Sequence, residues 1–412
     1  MEKTLIGPFT QLLPLSGLPL KGALKDEALQ IIPNAAILVS AGNILQIGFF
    51  DDLKKETDTI IDMEGDSVCL PGFIDAHTHI CFGGSRAKDY AMRNAGKTYL
   101  EIAKAGGGIW DTVTKTRLAT EEELLQGIVQ HSKVHLKNGI TTLEIKSGYG
   151  LSVDEELKML RAIGKASEVV AQDIIPTCLA AHMVPKDWNG TPTSYLEEMS
   201  NRLFPLLKSE NLANRIDAFI EESAFSAEEV APYFKTAKNY GFDITVHADQ
   251  FTTGGSQVAI EHAAISADHL EASGEKEIAR LAKSDTISIA LPGASIGLGC
   301  NFTPARKILD QGGALAIASD HNPGSAPMGD LLTQASILGT FEKLSNAEVL
   351  SGVTIRAAKA LNLNDRGCLE AGKVADFVVF PTNNYQEITY HQGQLKPSMV
   401  FKNGKHIAPP LG

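Results

Sequence analysis

The middle of the chain alternates between short apolar runs and longer amphipathic stretches. The amphipathic stretches 121–136, 153–166 and 226–240 are typical of helices packed on one face. The apolar runs are typical of strands, and eight are predicted, at 68–74, 140–145, 174–179, 216–220, 244–247, 264–268, 287–291 and 315–319. Repeated strand–helix units favour a parallel (β/α)8 barrel, also called a TIM barrel.

Both ends of the chain carry a different pattern, in which short strands are separated by turns. Near the N terminus the runs 36–39 and 44–48 flank a turn, which predicts a hairpin. Near the C terminus the runs 375–380 and 399–401 are also strand-like. Neither end alone has enough strands for an independent sheet, so we expect the two ends to combine.

This pattern divides the chain into three segments. Residues 1–67 and 366–412 are predicted to form the two parts of a small, discontinuous β-sandwich domain, and residues 68–365 the barrel. In such barrels the chemistry lies at the carboxyl ends of the strands. The barrel therefore also predicts where functional side chains should lie.

Four candidate metal ligands fall at or just past the ends of predicted strands. His77 and His79 follow the first strand, and residues two apart on an extended segment point to the same side. His247 ends the fifth strand and Asp320 ends the eighth. Three imidazoles and one carboxylate suit Zn2+ or another borderline first-row metal, with an open position for water.

Other residues with metal-binding chemistry are assigned no part in this site. His131 and His135 lie among polar residues of a predicted helix, so they are interpreted as a solvated outer face. In related barrels a second metal needs a carboxylated Lys at the end of the fourth strand, where this chain has Glu221 and Glu222. Lys146 follows the second strand and is interpreted as lying on the wrong wall. One metal ion is therefore predicted.

Composition narrows the range of partners. The net charge of −12 over 412 residues argues against nucleic acid and anionic membranes. The five cysteines are odd in number and lack CxxC spacing, which fits a reducing compartment. The first ten residues do not have the pattern of a signal peptide, and no apolar run approaches the ~18 residues of a membrane span. We expect a cytoplasmic protein that binds a small molecule.

Several motifs resemble those of known hydrolases. Residues 70–79, Leu-Pro-Gly-Phe-Ile-Asp-Ala-His-Thr-His, resemble the first-strand signature of the amidohydrolase superfamily. Segments throughout the chain resemble the imidazolonepropionases in particular, namely 144–150, 180–182, 246–251, 267–271 and 319–325. The resemblance implies hydrolysis of the cyclic amide of 4-imidazolone-5-propionate to N-formimino-L-glutamate in histidine degradation, by a metal-activated water.

The resemblance also implies roles for individual residues. One Zn2+ or Fe per subunit would be held by His77, His79, His247 and Asp320. The propionate group would be bound by Arg86, Tyr99, Tyr149 and His182. The ring and its products would contact Gln250, His269, Asn322, Gly324 and Ser325. Relatives of this kind also suggest a homodimer.

Side-chain chemistry agrees with these roles. Asp320 is expected to take the proton of the attacking water and pass it to the leaving nitrogen. His269 is expected to stabilise the developing oxyanion, although His182 could exchange roles with it. Arg86 suits a carboxylate because its planar guanidinium can pair with both oxygens. Gln250 stands where some relatives have Glu, and an amide cannot act as a general base.

Two alternative functions are considered. A deaminase of a cyclic amidine or purine would use a similar metal site on the same barrel. However, it would need a Glu three residues after His247, where this chain has Gln250. An inactive barrel that serves as a scaffold would be expected to lose metal ligands, and all four are present.

Overall fold

Residues 2–57 and 59–407, the part of the chain that the computed structural model describes, form two eight-stranded sheets. In chain order the strands are β1 (Thr4–Leu12), β2 (Ile32–Ser40), β3 (Asn43–Phe49), β4 (Thr59–Asp62), β5 (Val68–Pro71), β6 (Phe73–Asp75), β7 (Ile140–Lys146), β8 (Asp173–Ala181), β9 (Arg215–Phe219), β10 (Asp243–Ala248), β11 (Ser266–His269), β12 (Ile287–Ala290), β13 (Leu315–Ile317), β14 (Phe377–Phe380), β15 (Met399–Lys402) and β16 (Lys405–His406).

Most of the helices lie between the barrel strands. They are α1 (Phe50–Leu53), α2 (Ala87–Asn94), α3 (Tyr99–Lys104), α4 (Ile109–Leu118), α5 (Glu121–Lys137), α6 (Val153–Val169), α7 (Pro192–Glu198), α8 (Phe204–Ser209), α9 (Ala227–Asn239), α10 (Gly255–Glu261), α11 (Glu275–Lys283), α12 (Pro292–Leu298), α13 (Ala305–Asp310), α14 (Leu331–Glu342), α15 (Asn346–Gly352), α16 (Ile355–Ala360) and α17 (Gln386–Tyr390). Short 3-10 turns lie at Asp26–Ala28 and Lys54–Glu56, and a π-helical turn at Met199–Leu203 joins α7 to α8. Among the described residues, each helix is too short or too polar to cross a membrane.

The barrel is built from β6 to β13, which follow one another in the sheet in chain order and pair in parallel. Its first and last strands meet through the residues that follow them. The Asp320 amide donates to the His77 carbonyl at 3.1 Å, and the His79 amide donates to the His321 carbonyl at 2.9 Å. The predicted (β/α)8 barrel is therefore confirmed, and these contacts bring the first and eighth strand ends together.

The second sheet combines both ends of the chain, as predicted. Its order is β16-β15-β14-β5-β1-β2-β3, with β4 paired to β1. The C-terminal strand β14 pairs antiparallel with β5, and β5 pairs parallel with β1. A single mixed sheet thus forms the small β-domain.

The strand predicted over 68–74 is two strands in the structure, so that prediction is wrong in part. β5 belongs to the mixed sheet and only β6 belongs to the barrel. Gly72 separates them and packs so closely on Thr141 that an added Cβ would collide with that side chain. We therefore propose that the domain boundary lies at about Gly72 rather than between residues 67 and 68.

Helices α5, α6 and α9 occupy the stretches for which helices are predicted. Two of them begin with capping boxes, formed by Thr120 with Glu123 in α5 and by Ser226 with Glu229 in α9. In each box the side chains satisfy backbone N–H groups that the first turn of a helix leaves unpaired. These signals explain why the helices begin where the sequence predicts.

The histidines of α5 contradict the predicted solvated face. His135 is fully buried and lies on the same helical face as Leu124 and Ile128. Its Nε2 atom is 2.9 Å from Nδ1 of His321, and His131 packs against the same His321 ring at 4.8 Å between centroids. The side chains that face the barrel are those on the same side of the helix as its apolar residues. The polarity of the neighbouring residues in the sequence does not decide which side chains are buried.

Candidate active site

A cavity of about 550 Å3 is lined by residues that follow the carboxyl ends of the barrel strands. His77 lies buried beneath it. Tyr99 begins α3, but its side chain lies outside the described part of the structure. The remaining predicted site residues line the cavity, namely His79, Arg86, Tyr149, His182, His247, Gln250, His269, Asp320, Asn322, Gly324 and Ser325.

Three imidazole nitrogens and one carboxylate oxygen converge at one side of this cavity. The Nε2 atom of His79 is 3.1 Å from that of His77 and 3.2 Å from that of His247. Oδ1 of Asp320 lies 3.6 Å from His77 Nε2 and 3.5 Å from His79 Nε2. All four side chains are buried, and these distances are too short for a water molecule to lie between the ligand atoms.

The carboxylates behind two of the imidazoles show that this cluster fits a cation. Nδ1 of His77 is 2.6 Å from Asp268 Oδ2, and Nδ1 of His247 is 2.9 Å from Asp217 Oδ2. Because carboxylate oxygens accept, the hydrogen bond to Asp268 places the proton of His77 on Nδ1 and leaves a lone pair on its Nε2. The Asp217 carboxylate beside Nδ1 of His247 favours the same tautomer there. His79 Nε2 lies beside both of the other Nε2 atoms and can donate its one N–H to only one of them, whereas a metal ion would accept all three lone pairs.

The protonation of the imidazoles also suits metal binding. Burial lowers the pKa of His77 and His79 well below the usual value. Burial lowers the pKa of His247 to about 3, although Asp217 acts in the opposite direction. At neutral pH the imidazoles are therefore neutral, which is the form that binds a metal.

The carboxylate of Asp320 is held in one orientation. Its Oδ2 accepts from Asn322 Nδ2 at 2.9 Å and from Ser325 Oγ at 3.4 Å, which leaves Oδ1 directed at the imidazoles. Burial raises the pKa of Asp320 to about 6, with His269 acting in the opposite direction. Asn322 and Ser325 thus orient this carboxylate in addition to lining the cavity.

His182 and His269 present different atoms to the cavity. Nδ1 of His182 donates to the Gly148 carbonyl at 2.9 Å, and burial lowers the pKa of His182 to about 4, so its Nε2 is a bare acceptor. Nδ1 of His269 is 3.3 Å from Glu271 Oε1. Burial alone would lower the pKa of His269, but the Glu271 carboxylate outweighs it and the pKa is raised. His269 is therefore the better hydrogen-bond donor.

Arg86 is held at the cavity wall by an acidic partner. Its Nε atom is 2.8 Å from Asp89 Oδ2, which also accepts from the Gly108 amide at 2.8 Å. Its side chain is only 10% exposed. Gly324 leaves room for the guanidinium, because an added Cβ there would collide with Nη1 of Arg86. Among the side chains that the structure describes, Asp89 binds Nε alone and none binds Nη1 or Nη2, which leaves those two nitrogens to a substrate carboxylate.

Comparison with known proteins agrees with this geometry. Residues 68–407 match the model of the amidohydrolase family. An imidazolonepropionase of Acinetobacter baumannii (strain AB307-0294) is 39% identical over 380 residues, which cover 91% of this chain and 94% of the relative. An imidazolonepropionase of Thermoanaerobacter pseudethanolicus is 36% identical over 401 residues, which cover 97% and 96%. The chain belongs to the imidazolonepropionase family of amidohydrolases.

Membership of the imidazolonepropionase family confirms the resemblance and identifies the chain as a metal-dependent hydrolase. These relatives do not favour the two alternative functions, a deaminase of a cyclic amidine or purine and an inactive scaffold. Solved structures share the fold at low identity. A triazine hydrolase variant matches with a TM-score of 0.76 at 16% identity, over 100% of this chain and 96% of that one. A zinc-bound adenosine deaminase from Xanthomonas campestris matches with a TM-score of 0.72 at 16% identity, over 98% and 92%.

Four charged side chains beneath the imidazolonepropionase site are not among the predicted site residues. Lys146 lies at the end of the second barrel strand, as the sequence predicts, and is fully buried inside the barrel. Its Nζ atom is 2.7 Å from Glu144 Oε1 and 2.9 Å from Asp217 Oδ2. A signal was present in the sequence, because ionisable residues are rare in buried strands unless they are paired. Glu144, Asp217 and Asp268 lie within runs that are interpreted as buried strands, and Lys146 directly follows one of these runs.

Proposed function

We propose that this protein hydrolyses 4-imidazolone-5-propionate to N-formimino-L-glutamate. The observation that carries the proposal is the juxtaposition, in one cavity, of a metal-binding cluster and the guanidinium of Arg86. The cluster suits hydrolysis of a cyclic amide, and the guanidinium suits the carboxylate of the substrate. Relatives that bear the name imidazolonepropionase and cover more than nine-tenths of the chain support this choice of substrate.

The Nε2 atoms of His77, His79 and His247, together with Oδ1 of Asp320, would hold one Zn2+ or iron ion. When bound, such an ion polarises the carbonyl and lowers the pKa of water from ~15.7 toward ~7. Carboxylation of Lys146 as a bridge to a second metal is disfavoured, because Lys146 already pairs with carboxylates and a further negative charge would be repelled.

The side chains of the cavity carry out proton transfer and stabilise the developing negative charge. Asp320 takes a proton from the attacking water and delivers it to the ring nitrogen as the C–N bond breaks. The water oxygen stays on the carbonyl carbon, which becomes the new carboxylate. His269 donates from Nε2 to the carbonyl oxygen as negative charge develops there. Asn322 and Ser325 keep the Asp320 carboxylate in the required orientation.

Other residues bind and orient the substrate. Arg86 pairs with the propionate carboxylate, and burial raises the pKa of Tyr149, whose neutral hydroxyl donates a further hydrogen bond. The resemblance implies a place for His182 at the propionate, but its bare Nε2 atom accepts rather than donates. We therefore assign His182 to an N–H group of the ring. The Gln250 amide contacts the ring without transferring a proton.

We also propose that the protein is a cytoplasmic homodimer. The five cysteines are unpaired and four of them are buried, which suits a reducing compartment. The dimer rests on the family resemblance. Light scattering of the purified protein at micromolar concentration would give twice the chain mass of 44.1 kDa if the dimer is present.

Removal of the metal tests the proposed function directly. Freshly prepared 4-imidazolone-5-propionate should lose the ultraviolet absorbance of its ring in the presence of the enzyme, and prior treatment with a chelator should stop this loss. Activity should return on addition of Zn2+ or Fe2+. Metal-loaded enzyme that leaves this substrate intact would show that the substrate assignment is wrong, and chelator-resistant turnover would exclude the metal mechanism.

Replacement of Arg86 tests the carboxylate-binding site. Arg86→Ala is expected to raise KM by about 10- to 100-fold with little change in kcat, since a hydrogen bond to a charged group contributes about 1.5–3 kcal/mol. Arg306→Ala is a matched control, because Arg306 pairs with Glu348 and does not line the cavity. An unchanged KM in the Arg86 variant would remove this residue from the carboxylate site.

A further inference from the structure

A fully buried lysine lies behind the metal-binding histidines, enclosed by three carboxylates. Nζ of Lys146 is 2.7 Å from Glu144 Oε1, 2.9 Å from Asp217 Oδ2 and 3.9 Å from Asp268 Oδ2. The side chains of the lysine and of all three acids are at most 1% exposed. Because these groups are buried, water screens their charges little, and the ammonium offsets the negative charge of the carboxylates directly.

Two of these carboxylates also support metal ligands. Oδ2 of Asp217 is 2.9 Å from both Lys146 Nζ and His247 Nδ1. Oδ2 of Asp268 is 2.6 Å from His77 Nδ1 and faces the same ammonium. One cation therefore stands behind two carboxylate–histidine pairs that come from different walls of the barrel.

We propose that Lys146 is a positioning residue that fixes Asp217 and Asp268 as hydrogen-bond acceptors, so that His77 and His247 present their Nε2 lone pairs to the metal. The inference rests on the proposed metal centre and adds a residue that does not touch the metal or the substrate. Carboxylates behind metal-bound histidines set the tautomer and the ring orientation. Here the carboxylates are themselves held by a shared ammonium.

The electrostatics of the cluster explain why a cation is needed. Asp217, Asp268 and Glu144 repel one another in a buried environment, and the Lys146 ammonium, which faces all three, offsets this repulsion, with Arg215 acting on Glu144 as well. Burial alone would lower the pKa of the Lys146 ammonium, but the carboxylates outweigh burial and the pKa lies above its usual value. Without the ammonium, the carboxylates cannot all keep their charge and position, and the two imidazoles lose their fixed acceptors.

Metal affinity distinguishes a positioning role of Lys146 from simple repulsion between its charge and the metal. The two effects predict opposite changes in affinity when Lys146 is replaced. A positive charge near a cation site would weaken metal binding if it acted only through space, so its removal would tighten binding. A positioning residue has the reverse effect, because its removal disorders the ligands. We expect the metal dissociation constant to rise by about 10- to 100-fold when Lys146 is replaced, as for other residues that support metal ligands.

The experiment measures metal affinity of the apoenzyme without substrate. Lys146→Met protein is stripped with a chelator and titrated with Zn2+ in competition with a chromophoric chelator. Weaker binding than wild type, within the expected range, supports the inference. Tighter or unchanged binding overturns it. Lys146→Gln gives the same readout if the Met variant is insoluble, and Lys146→Arg, which keeps the charge, should bind Zn2+ more tightly than either.

Lys402→Met provides the matched control. Lys402 is also buried, at 5% exposure, and also pairs with two aspartates, Asp173 and Asp376, at 2.7 Å each. It lies in the mixed sheet, away from the cavity. The control variant should lose thermal stability without losing Zn2+ affinity, so a loss of affinity in both variants would reduce Lys146 to a general structural role and overturn the inference.

Failure of this inference is separable from failure of the proposed function. Zn2+ titration does not depend on the identity of the substrate. A wild-type protein that binds Zn2+ but leaves 4-imidazolone-5-propionate intact would refute the substrate and leave the role of Lys146 standing. A wild-type protein that does not bind Zn2+ or Fe2+ would refute the metal centre, and the role of Lys146 with it.

Discussion

Asp320→Asn is expected to lower kcat by about 10³-fold or more, since the variant loses both the base and one metal ligand. The wild-type Oδ2 atom accepts from Asn322 and Ser325. An amide at this position would turn its oxygen toward those donors and its NH2 group toward the imidazoles. The variant would thus present a donor where the metal requires a lone pair.

The measurement for Asp320→Asn is kcat together with metal content per chain. Asp376→Asn is the control, because Asp376 is a buried aspartate that pairs with Lys402 outside the cavity. We expect this control to lose stability while its kcat remains close to that of wild type. If Asp320→Asn keeps near-normal kcat with full metal content, the proposed mechanism is wrong.

Local periodicity was sufficient to predict most of the architecture. Strand and helix patterns predict seven of the barrel strands at close to their observed positions, because buried parallel strands are rich in apolar residues. The first barrel strand is the exception. Residues 68–75 form β5 and β6. The sheet that β5 joins depends on its pairing with β14, which lies about three hundred residues further along the chain. Local sequence does not contain that information.

The candidate ligands could be predicted because they occupy strand ends, where the barrel brings distant residues together. The sequence did not predict which side chains support these ligands. Asp217 and Asp268 are separated along the chain from the histidines that they hold, and their pairing depends on strand register. His135 was misplaced for another reason, since its burial follows helical phase rather than local polarity.

Backbone conformation adds a feature that the sequence does not reveal. His269 and Asp320 adopt positive φ angles of 84° and 51°, although neither is glycine. A left-handed conformation costs an ordinary residue roughly 1–2 kcal/mol. Such strain persists where the surrounding structure fixes it, and it is common at functional sites. Asp320 is the proposed proton carrier and His269 the proposed oxyanion donor. The strain therefore lies at the two residues whose side-chain orientation the proposed reaction depends on most.

The different hydrogen bonding of His182 and His269 leads to a paired prediction. His269→Gln is expected to lower kcat by about 10²–10³-fold, the usual cost of removing an oxyanion donor. His182→Gln is expected to act mainly on KM, because the bare Nε2 of His182 binds the substrate without stabilising the oxyanion. Each variant is the control for the other, since both residues are buried histidines at the same cavity.

Glu271→Gln extends this prediction to pH. The Glu271 carboxylate raises the pKa of His269, so wild-type His269 stays a cationic donor at low pH and loses that proton as the pH rises through this pKa. The alkaline decline in kcat should therefore begin at lower pH in Glu271→Gln than in wild type. If instead His182→Gln shows the larger loss of kcat, and Glu271→Gln leaves the pH profile unchanged, His182 is the oxyanion donor and the two histidines exchange roles.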